Sequence, residues 1–255
     1  MILINKKRKK NVKVSIITAT FNSEKYIGQT LQSIKNQIYK NFEVIIIDGK
    51  STDQTLQVVK KNKKIIQYCV SEKDKGIYDA FNKGIKQANG KYIVIVNSDD
   101  KLTKNALLLL HKYDLKYPNV DFFFGAVKKH WGVLHGYNKS KILYSWGFYS
   151  SHSTGFFIKR KSAKIVGKYN LKYKYHADYD YFFRMIVHHK LHGIAFKKNE
   201  LVGHFRRGGF SSKASFVKKF FEELKIRYDN NQNILFVIML GLYKFIKNFK
   251  YFFGK

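Results

Sequence analysis

Residues 91–100 read Lys-Tyr-Ile-Val-Ile-Val-Asn-Ser-Asp-Asp, and this stretch decides the fold. Its apolar residues, 92–96, show no polar alternation, which is typical of a strand buried on both faces of a parallel sheet. The side chains that follow, Asn97 to Asp100, would border a crevice, because ligands of open α/β sheets bind beyond the carboxyl ends of the strands. Two adjacent carboxylates there suit a hard divalent cation and a phosphate bound to it. Alternatively, Asp100 caps a helix that begins near residue 102.

The same pattern recurs on both sides of this strand. Apolar runs at residues 12–20, 42–47 and 65–70 predict three more strands, each followed by a helix. After residue 101 the alternation continues with a helix over 102–113, strands over 120–127 and 155–159, a helix over 178–189 and a strand over 194–205. We therefore expect a doubly wound α/β sheet.

The composition is strongly basic. The 255 residues include 49 Lys+Arg and 17 Asp+Glu, which gives a formal net charge of +32. That excess predicts phosphate-rich partners such as nucleic acid, anionic lipid or nucleotide-linked substrates. The sequence has neither a dinucleotide-binding glycine fingerprint nor a Gly-Lys-Ser/Thr phosphate loop, which disfavours dehydrogenases and phosphate-loop ATPases.

Four blocks of sequence follow one another at helix-length intervals. They are Val14-Ser-Ile-Ile-Thr-Ala-Thr-Phe-Asn22, Ile45-Ile-Ile-Asp-Gly-Lys-Ser-Thr-Asp53, Asp74-Lys-Gly-Ile-Tyr-Asp-Ala-Phe-Asn-Lys-Gly84 and Val96-Asn-Ser-Asp-Asp100. In this order they resemble glycosyltransferase family 2, of the bacterial surface-polysaccharide type. The resemblance implies the GT-A fold: a Rossmann-like, doubly wound mixed sheet with a loop-rich acceptor half and a C-terminal helical appendage.

The resemblance also implies a site for a nucleoside-diphosphate sugar, UDP-linked in our expectation. Asp99 would hold Mn²⁺ or Mg²⁺, with His204 as a second candidate ligand. Asn97 stands where the family has the first aspartate of an Asp-x-Asp motif, and an amide contributes no charge to a metal. The residues implied on the nucleotide-sugar side are Thr18, Ala19, Phe21, Asp48, Ser51, Asp74, Lys75, Gly76, Asn82, Lys83, Asn97, Ser98 and Arg207.

The segment Tyr175-His-Ala-Asp-Tyr-Asp-Tyr-Phe-Phe-Arg184 resembles the part of the family that bears the catalytic base. Asp178 matches the base, which would take the proton of an acceptor hydroxyl. Asp180 is a rival for this role on the acceptor side, where His152 is also implied. The implied reaction is an inverting transfer of a hexose or N-acetylhexosamine to a glycan or lipid-linked oligosaccharide. An alternative role for Asp178 is that of an ordinary helix cap.

The predicted organisation has three parts. Residues 1–11 are a basic tail, 12–212 a catalytic domain with a nucleotide-sugar half (12–101) and an acceptor half (102–212), and 213–255 basic amphipathic helices. No signal-peptide core follows the basic cluster, and the apolar run at 234–243 is too short to span a bilayer. We therefore expect a cytoplasmic protein in peripheral contact with the anionic inner face of the cell membrane.

Two other functions stay open at this point. The net charge would suit a nucleic-acid-binding protein, although acidic strand ends would repel a phosphate backbone, so we expect no specific nucleic-acid partner. A sugar nucleotidyltransferase shares the layered sheet but would need a glycine-rich, basic loop after the first strand, where residues 18–22 have no glycine.

Overall fold

The structure is a computed structural model that describes residues 1–7, 11–144, 153–206, 208 and 215–253. Its strands are β1 (Ile2–Asn5), β2 (Val14–Thr20), β3 (Phe42–Asp48), β4 (Tyr68–Ser71), β5 (Tyr92–Ile95), β6 (Lys101–Leu102), β7 (Phe122–Phe124), β8 (Ala126–Lys129), β9 (Gly132–Leu134), β10 (Phe156–Lys159), β11 (Gly193–Ala195) and β12 (Leu201–His204). Its α-helices are α1 (Ile27–Lys35), α2 (Thr55–Lys61), α3 (Ile77–Gln87), α4 (Ala106–Lys116), α5 (Lys141–Tyr144), α6 (Arg160–Val166), α7 (Ala177–Phe183), α8 (Phe216–Asp229), α9 (Ile234–Lys247) and α10 (Lys250–Phe253).

The central sheet is mixed, as predicted, and has the strand order β1-β4-β3-β2-β5-β10-β7-β11. The four strands predicted in the first half, β2 to β5, form its parallel centre. β10 lies antiparallel between β5 and β7, and β1 adds an antiparallel edge strand to β4. The segment that the sequence assigned to a basic tail therefore contributes a strand.

Helices cover both faces of this sheet, which explains the unbroken apolar strands. All seven residues of β2 are buried. Ile17 points to one face and packs in a cluster with side chains of α3 and α7, whereas Ile16 points to the other and packs with side chains of α1, α2 and α4. Alternate residues of each central strand thus pack into two different hydrophobic cores, one on each face of the sheet.

A smaller second sheet, of order β6-β12-β8-β9, corrects three predictions for the second half. Residues Lys101–Leu102 pair with β12, so the helix expected from residue 102 begins at Ala106. The expected strand over 194–205 is two strands, β11 and β12, which lie in different sheets. The expected strand over 120–127 is likewise divided at Gly125, where a β-carbon would lie 2.5 Å from the Val202 side chain.

The carboxyl-terminal helices pack against the second half of the α/β domain, residues 102–212. α8 contacts α7, and α9 and α10 contact α8. Ile226 of α8 is fully buried in the same core as α7. No helix in the described part of the chain is both long and apolar enough to cross a membrane.

Candidate active site

The carboxyl ends of β2, β3 and β5 meet at one edge of the central sheet, because these strands are parallel neighbours. Hydrogen bonds link the loops that follow. The side-chain oxygen of Asn22 accepts the N–H of Thr52 at 2.9 Å, and the hydroxyls of Ser23 and Ser98 lie 2.8 Å apart. The strand ends predicted as neighbours therefore form one rim.

Asp48 lies at the end of β3 and is fully buried. Its carboxylate accepts the Ser51 N–H at 3.0 Å, the Ser51 hydroxyl at 2.5 Å and the Ser71 hydroxyl at 2.6 Å. Both oxygens are thus occupied by protein donors. In this conformation Asp48 orders the loops that follow β3 and β4.

An aromatic and an acidic side chain, Phe21 and Asp74, flank Gly49 at this rim. Phe21 is 61% exposed, although it is a large apolar side chain. A β-carbon on Gly49 would lie 3.1 Å from Asp74 Oδ2 and 3.4 Å from Phe21 Cδ2. Any side chain at position 49 would therefore crowd Asp74 and Phe21, so the glycine leaves room for both.

Lys83 of α3 holds the loop that carries Asp74. Its ammonium lies 2.6 Å from Asp74 and 2.9 Å from Glu72, and 3.4 Å from Asp79. Burial opposes the charged form of Lys83, but the hydrogen bonds that its ammonium donates to Asp74 and Glu72 outweigh burial and raise the pKa of Lys83. Burial raises the pKa of Asp74, against the effect of Lys83. Lys83 therefore anchors the loop that carries Asp74.

The other predicted nucleotide-side residues have varied surroundings. Thr18 and Ala19 are buried in β2. The Lys75 N–H donates to Asp79 at 3.0 Å, and Gly76 adopts a left-handed φ of 114° before α3. Asn82 faces the acceptor half, because its side chain donates to Tyr169 O at 2.9 Å and accepts the Tyr169 N–H at 2.8 Å.

The side chains after β5 form, with Arg206, a cluster that we call the donor corner: Asn97, Ser98, Asp99, Asp100 and Arg206. Arg206 lies 3.3 Å from Asp99 Oδ2, and its guanidinium stacks 3.7 Å from the ring centroid of Tyr26. Burial and the neighbouring Asp100 raise the pKa of Asp99, while Arg206 opposes them. An added cation stabilises the charged form of such a buried carboxylate more than that of an exposed carboxylate.

Asp100 supports the donor corner from inside and does not cap a helix, in contrast to the alternative considered above. It is fully buried and accepts the Thr154 hydroxyl at 2.9 Å and the Arg206 N–H at 3.2 Å. Burial raises the pKa of Asp100 to about 6. Asp100 thus links β5 to the loop after β12.

The oxygen atoms of the donor corner fit a divalent cation whose coordination sphere substrate phosphates would complete. Asp99 offers a partly exposed carboxylate, and Asn97 Oδ1 is buried without a hydrogen-bond partner within the described ranges. Mg²⁺ is commonly held by one or two protein oxygens together with phosphates and water. Among the described residues no group of three or more His, Cys, Asp or Glu could hold a metal alone.

His204 pairs across the sheet with Lys101 and Lys128, and burial and these lysines lower its pKa.

Asp178 lies in the first turn of α7 and is partly accessible. Its Oδ1 accepts the Tyr179 N–H at 2.9 Å and the Tyr78 hydroxyl at 3.3 Å. Tyr78 also lies 3.1 Å from Tyr175 O, so it bridges α3 to the turn before α7. Oδ2 has no hydrogen-bond partner in the described ranges. One oxygen of Asp178 is thus held in place and the other is available.

Asp180 has a different environment, although it is only two residues away. It is 3% exposed, and its oxygens bind Arg184 at 3.0 Å and the Asn230 side chain at 3.0 Å. Asp180 therefore joins α7 to the residue that follows α8.

Lys129 is affected by charges from both halves of the site, and no sequence motif singles it out. Burial lowers its pKa, while the charges of Asp100 and Asp178 oppose that shift. Its ammonium lies 4.8 Å from the ring centroid of Phe205. Lys129 thus lies within the electrostatic reach of both the donor corner and Asp178. Two predicted residues, His152 and Arg207, lie outside the described residues.

The sequence pattern of Glycosyl transferase family 2 matches residues 15–192 of the chain. The chain is 48% identical over 127 residues to a Methanococcus voltae protein, dolichyl N-acetyl-alpha-D-glucosaminyl phosphate 3-beta-D-2,3-diacetamido-2,3-dideoxy-beta-D-glucuronosyltransferase, with 46% of this chain and 39% of that protein covered. It is 40% identical over 101 residues to the poly(ribitol-phosphate) beta-N-acetylglucosaminyltransferase TarS of Staphylococcus aureus, with 38% of this chain and 18% of TarS covered. The chain spans well under two thirds of the length of either relative.

Two solved structures show the same fold. Residues 1–349 of S. aureus TarS in complex with UDP-GlcNAc match with a TM-score of 0.69 at 20% identity, over 95% of this chain and 76% of that one. The mannosyltransferase PcManGT from Pyrobaculum calidifontis, in complex with GDP-Man and Mn²⁺, matches with a TM-score of 0.68 at 19% identity, over 89% and 66%. Because the family pattern covers more than half of the chain and the sheet matches these transferases, the chain belongs to glycosyltransferase family 2 and has the GT-A fold.

Proposed function

We propose that the protein is an inverting glycosyltransferase that moves a sugar from a nucleoside-diphosphate donor to a glycan or lipid-linked acceptor in surface polysaccharide synthesis. The observation that carries the proposal is the position of Asp178. One of its oxygens is held by Tyr78 and the Tyr179 N–H, and its charge acts on Lys129 together with that of Asp100 in the donor corner. A base is needed where an acceptor hydroxyl attacks the anomeric carbon of a donor bound at that corner.

Asp178 is a better base than its rival Asp180. A base must reach a substrate proton through a free lone pair, and Asp178 Oδ2 has no bond to the described residues. Asp180 is buried, and its two oxygens bind Arg184 and Asn230. Removing Asp180 from these partners would leave a partly buried arginine without its counterion.

The donor would lie along the rim. Phe21 offers an exposed aromatic face to a base, and Asp74 offers a hydrogen-bond acceptor beside Gly49. We favour a UDP-linked sugar because the similar TarS fold was solved with UDP-GlcNAc and with UDP. TarS is named for transfer of N-acetylglucosamine and the M. voltae protein for transfer of a diacetamido-glucuronosyl group, so an acetamido sugar is the class that we favour.

Positive charge must offset the leaving diphosphate. Asp99 and Asn97 Oδ1 are the oxygens that would hold Mn²⁺ or Mg²⁺, and such a cation would neutralise phosphate charge. Arg206 adds a guanidinium at the same corner, already oriented by Tyr26 and by Asp99. Arg207 as a phosphate contact, His204 as a second metal ligand and His152 on the acceptor side stay predictions.

A panel of UDP- and GDP-sugars tests this proposal, with binding and hydrolysis measured with and without Mn²⁺. We expect one sugar nucleotide to bind, and Asp99→Asn to weaken the Mn²⁺ dependence of that binding. A salt titration with single- and double-stranded nucleic acid is the control for non-specific phosphate binding. Tight nucleic-acid binding without any sugar-nucleotide binding would favour the nucleic-acid hypothesis instead.

We also propose peripheral membrane contact on the cytoplasmic side, through α9. Six of its large side chains are between 51% and 72% exposed: Leu235, Ile238, Met239, Leu242, Tyr243 and Ile246. On one side of α9, helical spacing repeats at Leu235, Ile238, Met239, Leu242 and Ile246. Lys244 and Lys247 lie in the last turn of α9. An anionic bilayer surface is the partner that matches this exposed apolar face, because the chain has a net charge of +32.

A further inference from the structure

Helix α8 binds the segment that carries the candidate base. We call residues 172–180 the base segment. Glu222 of α8 accepts three consecutive N–H groups of this segment, those of Lys174 at 2.7 Å, Tyr175 at 2.6 Å and His176 at 2.7 Å. Further along α8, Asp229 binds Lys172 at 2.8 Å and the Tyr173 hydroxyl at 2.6 Å.

The three N–H groups at Glu222 immediately precede the first residue of α7. The helix begins at Ala177, and His176 at its cap position makes no side-chain capping bond. Carboxylate-to-backbone hydrogen bonds of this length are charge-assisted and about twice as strong as neutral ones. Glu222 therefore fixes, from another helix, the backbone that leads into α7.

Two contacts then define the position of Asp178. Glu222 holds the backbone of Tyr175 and His176 from the side of α8, and Tyr78 holds Tyr175 O and Asp178 Oδ1 from the side of α3. Asp178 follows His176 by only two residues, so a shift of that backbone moves its carboxylate. A base displaced by about 1 Å loses roughly 100-fold in rate.

We infer that Glu222 is a positioning residue for the transfer reaction, acting through the base segment on Asp178. The inference rests on the proposed function, because it assigns Glu222 a role only if Asp178 is the base. Glu222 itself contacts no substrate group in this scheme. The C-terminal helices thus form part of the support of the active site as well as the proposed membrane contact.

The test compares Glu222→Ala and Glu222→Gln with wild type. Ala removes all three hydrogen bonds, whereas Gln keeps one carbonyl oxygen for Tyr175 and His176 but turns an NH₂ group toward the Lys174 N–H. We expect kcat for sugar transfer to fall at least tenfold in Glu222→Ala and less in Glu222→Gln, with the donor Kd unchanged within twofold. Rates are normalised to the donor-binding stoichiometry, so that a fall in the folded fraction does not count as a fall in kcat.

The matched control is Asp229→Asn, because Asp229 lies on the same helix and binds the same segment further from Asp178. We expect its kcat to stay within twofold of wild type. Hydrogen exchange gives a readout that needs no turnover: the amides of residues 174–176 should exchange faster in Glu222→Ala and unchanged in Asp229→Asn. The exchange measurement needs no acceptor substrate.

The outcomes separate the two claims. If wild type transfers sugar and Asp178→Asn does not, but Glu222→Ala keeps the wild-type kcat, the positioning role is wrong and the proposed function stands. Unchanged exchange at residues 174–176 in Glu222→Ala would also overturn the role of Glu222. If wild type transfers no sugar, the proposed function fails and the positioning role fails with it.

Discussion

Asp178 and Asp180 show how two carboxylates in one turn acquire different roles. Both belong to α7, but one faces an accessible site and the other the packed contact with Arg184 and Asn230. The side-chain chemistry is the same, so the difference comes from the neighbours. The assignment of Asp178 as the base therefore depends on contacts as well as on the sequence resemblance.

Tyr78→Phe tests those contacts at the residue scale. The variant keeps the ring and removes the hydroxyl that reaches Asp178 Oδ1 and Tyr175 O. We expect a loss of about 1 kcal/mol in the free energy of unfolding and a kcat lower by about tenfold, because Asp178 becomes less well oriented. Urea unfolding and steady-state transfer rates measure the two effects.

Tyr92→Phe is the control, because the Tyr92 hydroxyl also donates to a carboxylate, that of Asp114, at 2.6 Å. Asp114 lies on α4 and has no contact with the site. Tyr92→Phe should lower stability and leave kcat unchanged. Equal kcat values for wild type and Tyr78→Phe would show that Asp178 does not depend on this hydroxyl.

The sequence predicted residues of the site that belong to local motifs and missed those that act over long separations. The strand ends and Asp178 follow from blocks of adjacent residues. Tyr78 and Asp178 are 100 residues apart, and Glu222 binds backbone groups 46 to 48 residues away. Such contacts depend on how helices pack on the sheet, and no spacing along the chain reports them.

At the scale of elements, prediction succeeded where a strand is buried on both faces. β2, β3 and β5 read as unbroken apolar runs because each face meets a layer of helices. The divisions between β7 and β8 and between β11 and β12 were missed. The first occurs at Gly125, where Val202 approaches the backbone, and a residue so distant in sequence gives no local signal.

Asp114 joins three elements at the edge of the sheet opposite the site. It accepts hydrogen bonds from Lys91 at 2.7 Å and from Tyr92, and it pairs with Lys13, just before β2. Burial opposes its charge, but these partners outweigh burial and lower the pKa of Asp114 to about 2. The stabilisation is present above the unfolded pKa, near 4, and is lost as the pH falls through about 2.

Asp114→Asn should therefore lower the free energy of unfolding at pH 7 by about 2 kcal/mol. The difference from wild type should shrink as the pH falls below about 4, because the wild-type carboxyl then takes up its proton on unfolding. Urea unfolding at pH 7 and pH 3 measures it. A difference that stays constant or grows toward pH 3 would contradict this account of the charge cluster.

At the scale of the whole molecule, the excess of positive charge and the exposed face of α9 act together. Apolar side chains give membrane affinity by burial, and the basic surface adds attraction to anionic lipid. α9 has 14 residues, so it is about 21 Å long and shorter than the roughly 30 Å of a hydrocarbon core. Its geometry suits a helix lying on the bilayer surface.

Flotation with vesicles of phosphatidylglycerol and phosphatidylcholine tests this contact. Wild type should bind in a salt-sensitive manner, and Leu242→Ser combined with Ile246→Ser should weaken binding at least tenfold, because two large apolar side chains no longer enter the lipid. Leu115→Ser is the control, since Leu115 is 67% exposed on α4, away from this face. Equal vesicle binding by all three proteins, or a wild-type dimer that the double variant abolishes, would count against the membrane as the occupant.

The central claim is that Asp178 is the base of a sugar transfer from a nucleotide donor. The most direct test measures donor Kd and transfer kcat on the same preparations of wild type and Asp178→Asn. We predict a donor Kd unchanged within twofold and a kcat lower by at least about 100-fold, because the amide cannot take the acceptor proton. Transfer by Asp178→Asn at the wild-type rate would contradict the claim.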